Sequence, residues 1–173
     1  MDQVIARASV SRATLCSNFA DKGALLAAVI AAESERIVMD AWAQDHLDRP
    51  IQQTLTGFGR NLLRFIAEPD TMAFERLIAQ AALAEPAYGA QFFAAGPGRA
   101  RSILMALIYA GQARGELGPA DPEQAANDLL GLWQGSWKLE IQYGHRQPPK
   151  DDELDRLAHH AARQFMRLYA RAE

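Results

Sequence analysis

Apolar residues in this 173-residue chain recur at three- and four-residue intervals and never alternate over a strand length. That periodicity buries one stripe of a helix and leaves a pleated sheet nothing to bury, so the chain is restricted to helix-on-helix packing. Alanine, leucine, arginine, glutamate and glutamine supply the intervening positions, all of them good helix formers. An all-α fold of about nine helices is predicted. With 49% hydrophobic and 23% charged residues, a packed core is expected rather than disorder.

Proline, glycine and capping residues punctuate the pattern. Short helices are predicted over Asp2 to Ala8 and, capped by Ser11, to Phe19, with Ser9-Val10 as the turn. A third begins at Asp21 and continues to about Gln44, carrying Leu25, Leu26, Val29, Ile30, Ile37 and Val38. Further helices run from Pro50 to Glu68 and from Pro69 or Asp70 to just before Pro86. A short segment spans Tyr88 to Phe93, and Gly96-Pro97-Gly98 opens a helix that ends at Gly115. Asp121-Pro122 opens one long helix to Tyr143, and Asp151 or Asp152 caps the last. The predicted division is residues 1–44 as a partial DNA-binding unit with its connecting helix, and 45–173 as an effector-binding and dimerisation domain.

Two short helices around a tight turn at Val4 to Phe19 form a helix-turn-helix, with Val4, Ile5, Val10 and Leu15 fixing the crossing. Ser11, Arg12, Thr14, Cys16, Ser17 and Asn18 are then free to meet double-stranded DNA, and Lys22 is placed to meet a phosphate. Arginine can bind guanine and asparagine adenine through paired hydrogen bonds in the major groove.

The run from Ile5 to Leu26 resembles the signature of the tetracycline-repressor (TetR/AcrR) family, I-A-x-x-A-G-V-S-x-x-T-L-Y-x-H-F-x-x-K-x-x-L. Val10-Ser11, Thr14-Leu15, Phe19, Lys22 and Leu25 fall in register. The resemblance implies a homodimeric transcriptional repressor on a palindromic operator, released when a small apolar or aromatic effector binds. Three positions depart from it. Ser9 replaces the turn glycine, which costs roughly 1 kcal/mol if a positive φ is required. Cys16 replaces the usual aromatic residue, and Asn18 the usual histidine. The family also carries a helix ahead of the position of Asp2, and on this comparison the three-helix unit is incomplete. Residues 1–22 hold Arg7, Arg12 and Lys22 against Asp2 and Asp21, a net of +1, which leaves little phosphate attraction in this segment. The alternative reading is a truncated module that binds small molecules or partners but not DNA.

The resemblance places an effector cavity among the middle helices. Phe58, Leu62, Phe65, Phe74, Ile78, Ile108 and Trp133 are the candidate lining residues, with Asn61, Gln80, Gln112 and Gln134 as polar candidates. It also implies a four-helix dimer interface from the last two long helices. Gly131 and Gly135, four apart, allow close approach of a second backbone, and Leu154, Leu157, Ala161, Phe165 and Leu168 supply the face of the final helix.

No enzyme chemistry emerges. A lone Cys16 excludes an intramolecular disulfide or thiolate cage and fits a reducing compartment. No Glu-x-x-His pair exists, and His159 and His160 project about 100° apart on a helix, so neither metal nor cofactor is expected. Gly96-Pro97-Gly98 lacks the rest of a nucleotide loop, and Gly135-Ser136 lacks a nucleophile-elbow context. The longest apolar stretch, Ala24 to Ala32, is about half of the roughly twenty residues needed to span a bilayer. With no secretion-signal pattern at the amino terminus, a cytoplasmic location without membrane partners is expected.

Overall fold

The computed structural model describes residues 11–19, 24–25, 28–29, 32 and 49–171. Eight helices have both ends among them: α1 (Arg12–Asn18), α2 (Ile51–Ala67), α3 (Pro69–Ala84), α4 (Pro86–Ala95), α5 (Pro97–Ala113), α6 (Pro122–Gln134), α7 (Trp137–Gln142) and α8 (Asp151–Tyr169). The only β pairing among the described residues is an isolated antiparallel bridge between Leu117 and Ala170. The helix predicted over Asp2 to Ala8 lies outside the described residues. Of the predicted 21–44 helix, residues 24, 25, 28, 29 and 32 are described, and all are helical.

The central element is α2. Ile51, Leu55, Phe58, Leu62, Leu63, Phe65 and Ile66 form a broad buried face, and α3, α5, α6 and α8 all pack against the helix. Its two buried threonines carry no orphaned hydroxyl: Thr54 and Thr56 donate back to the carbonyls of Pro50 and Gln52, one turn earlier. The first amide of α2 is satisfied from a distance, since Ile51 N–H donates to Glu116 Oε2 at 2.6 Å. Burial pushes the Glu116 carboxyl up, but the Ile51 amide and the Arg114 guanidinium outweigh it and hold the group below its ordinary value.

Helix α8 packs on both α2 and α6 and buries Leu154, Ala158, Ala161, Ala162 and Phe165. Of the expected dimer-face residues on this helix, Leu154, Ala161 and Phe165 face inward, 2%, 0% and 0% exposed within one protomer. The helix starts at Lys150 as N-cap with no side-chain cap bond, so neither Asp151 nor Asp152 caps it. Both stand in the first turn with Glu153, where their charge favours the helix dipole.

The predicted single helix from Pro122 to Tyr143 is two helices. Gly135 breaks it with φ +47° and ψ −145°, a conformation available to glycine. A tryptophan spans the break. In a continuous helix the Trp133 carbonyl would accept the Trp137 amide; instead it accepts the Trp137 indole N–H at 3.2 Å. Both indoles are buried, and Trp133 stacks on Phe58 with ring centroids 5.9 Å apart. Gly59 permits this contact, since a Cβ there would overlap the Trp133 ring. Elsewhere the punctuation acts as predicted: Asp121 accepts the Glu123 amide at the start of α6, and Pro97 follows the Gly96 cap of α5.

Candidate functional site

Two regions carry the candidate functional residues. In the first, α1 begins at Ser11, whose Oγ accepts the Thr14 amide at 3.0 Å and lies 2.8 Å from Thr14 Oγ1. Ser17 Oγ and Asn18 Nδ2 both donate to the Thr14 carbonyl, at 3.0 and 2.8 Å. Ser11, Arg12, Thr14, Cys16, Ser17 and Asn18 are all exposed. The helix therefore exposes Ser11, Arg12, Thr14, Ser17 and Asn18 together. Lys22 lies outside the described residues.

The second region is a cavity of about 140 Å³ bounded by α2, α3, α4, α5, α6 and α7. Leu62, Phe65, Ile66, Ala100 and Leu130 line it, and Phe74 and Phe92 meet edge-on at 5.9 Å on the α3 and α4 side. Thr71, Glu75, Gln134 and Lys138 make the polar part of the wall. The α4 side is thinly anchored, because none of that helix's own residues is buried. A wall with few buried contacts opens at lower free-energy cost than the core behind it.

Of the predicted lining residues, Leu62, Phe65 and Phe74 border this cavity. Phe58, Ile108 and Trp133 do not: they are buried in the central cluster, where α2, α5 and α6 have already closed around them. Ile78 is also buried away from the cavity. Among the polar candidates Gln134 lines it, whereas the Gln112 amide ties down the next loop by donating to the Gly118 and Ala120 carbonyls. Sequence reasoning missed the ion pair in the wall, Lys138 Nζ to Glu75 Oε2 at 2.6 Å. The two partners lie on separate helices, and no spacing pattern joins them.

Of the remaining predicted dimer-face residues, Gly131 and Gly135 are exposed, and a Cβ at either would meet nothing within 4 Å. Leu157 is half-buried and Leu168 is 67% exposed. No group of His, Cys, Asp and Glu that could hold a metal ion occurs among the described residues. No helix among them is long and apolar enough to cross a membrane.

Residues 53–171 match the family model of the AefR-like transcriptional repressor, C-terminal domain. The chain is a TetR-family transcriptional regulator. A TetR-family structure from Mesorhizobium loti MAFF303099 superposes with a TM-score of 0.87 at 20% identity, covering 98% of this chain and 85% of that one. The flavonoid-responsive regulator FrrA gives 0.80 at 28% identity over 98% and 86%. A TetR transcriptional regulator from Agrobacterium tumefaciens gives 0.75 at 24% over 96% and 81%. No curated protein matches the chain. Within this TetR-family fold, the cavity lies wholly inside the region matched by the C-terminal family model.

Proposed function

We propose that the chain is a homodimeric repressor that holds a palindromic operator through the α1 surface and leaves it when a small aromatic or apolar effector fills the α2–α7 cavity. Residues 1–44 serve as the reading head with its connecting helix, and residues 45–173 as the effector and dimer domain. The observation that carries this reading is an apolar, aromatic-walled cavity with one polar patch, inside the domain matched by a transcriptional-repressor family. FrrA, described as flavonoid-responsive, supports an aromatic effector by likeness.

Ser11, Arg12, Thr14, Cys16, Ser17, Asn18 and Lys22 would meet the DNA. A two-fold dimer would set its heads about 34–36 Å apart on successive major grooves. Gly131, Gly135, Leu157 and Leu168 remain as candidate contacts to the second copy, being open in one protomer. The effector acts by preferring one arrangement of the heads, and it can shift the balance only by its difference in affinity for the two. Leu130 and Gln134 before the Gly135 break, and Lys138 after it, would feel the same ligand.

The small positive charge of residues 1–22 favours a second reading, a module of the same fold that does not bind DNA. Titrating duplex DNA at several salt concentrations separates the two. A linear fall of log affinity with log salt supports the repressor, and no binding at low salt leaves the module.

A further inference from the structure

The Glu75–Lys138 ion pair borders the main cavity and also a smaller one of about 30 Å³, which Met72, Arg76 and Gln142 complete. It therefore stands as a partition between two voids. Both side chains are largely withdrawn from water, at 22% and 29% exposure. Lys138 Nζ carries three N–H donors and Glu75 two acceptor oxygens, so a single ion pair between them leaves unused capacity on each.

We propose that this pair selects an aromatic ring bearing a neutral hydroxyl, Lys138 donating to the hydroxyl oxygen and Glu75 accepting its proton in a hydrogen bond. The inference rests on the effector-cavity reading and names the ligand class for it. Charge decides against the alternatives. A carboxylate drawn to Lys138 must also stand beside Glu75, and an ammonium drawn to Glu75 must stand beside Lys138. A phenol, with a pKa of about 10, is neutral near pH 7 and meets both partners with the sign each needs. A hydrocarbon leaves their spare donors and acceptors desolvated without compensation. Size sets the rest: the 140 Å³ volume is close to the roughly 150 Å³ of a cavity known to hold benzene, so one ring fits inside. The edge-on Phe74 and Phe92 pair offers that ring aromatic walls.

Calorimetric titration of the full chain with p-cresol, p-methylanisole, p-xylene and p-toluate tests the proposal. The expected order puts p-cresol about tenfold or more ahead of each of the others. In Lys138→Met and Glu75→Gln the advantage over p-xylene shrinks to about threefold or less while p-xylene affinity holds. Wild-type p-cresol binding no better than p-xylene or p-methylanisole, or p-toluate binding best, overturns the selectivity and leaves the cavity reading standing. If none of the four binds, the cavity reading fails and the inference with it. The wild-type series decides even where a variant does not fold.

Discussion

The Tyr169 hydroxyl donates to Asp128 Oδ2 at 2.5 Å, fastening the end of α8 to the middle of α6. The bond to the carboxylate, together with burial, pushes the Tyr169 phenol up to about 12 from an ordinary 10. A folded value above the unfolded one means that the contribution is complete below pH 10 and is lost as pH rises toward 12. Tyr169→Phe should cost about 2 kcal/mol at neutral pH, as loss of a hydrogen bond to a charged acceptor does. Chemical denaturation of both proteins checks the cost. Tyrosinate absorbance should show that the variant lacks the latest-ionising phenol of the native protein.

Glu116 gives the opposite pH dependence. Its carboxyl sits below the ordinary 4.5, so its support of the Ile51 amide is complete above that value and fades as pH falls beneath it. Glu116→Ala should lower stability by about 1–2 kcal/mol at pH 7. Thermal melts at descending pH should show the gap to wild type narrowing in acid; a constant gap would count against the cap.

Gly59→Ala tests the closeness of α2 and α6. Alanine improves helix propensity by about 1 kcal/mol, yet its Cβ would enter the space of the buried Trp133 ring. Overpacking of a rigid core typically costs about 1–3 kcal/mol, so net destabilisation is expected, with altered Trp emission. A stabilised variant would mean that the two helices sit further apart.

Gly135→Ala isolates the backbone, because its Cβ would meet no atom within 4 Å. A left-handed residue with no side-chain clash should still lose about 1–3 kcal/mol on substitution. Melting temperature reads this directly, and an unchanged value would argue for an uninterrupted helix at rest.

The sequence pattern made α2, α5 and α8 legible because each buries a stripe at helical spacing between clear proline or glycine boundaries. It could not reveal which neighbour takes a stripe. Leu154, Ala161 and Phe165 have the spacing of an interface, and neighbouring helices bury them within the protomer. Nor could it reveal the α6–α7 break, since Trp133 and Trp137 repeat four apart as in any helix, and an indole takes the backbone carbonyl there. In the cavity, Leu62, Phe65 and Phe74 were accessible from periodicity and resemblance together. Glu75 and Lys138 were not, because an ion pair between distant helices exists only after packing.

Regulation of this kind requires communication between cavity and reading head. The direct measurement is the affinity of duplex DNA from the flanks of the chain's own gene, with and without saturating p-cresol, alongside p-cresol affinity with and without that DNA. Ligand should weaken DNA binding by some factor, and DNA should weaken ligand binding by the same factor, as linkage between two sites requires. DNA affinity that is unchanged by a ligand shown to occupy the cavity would contradict it.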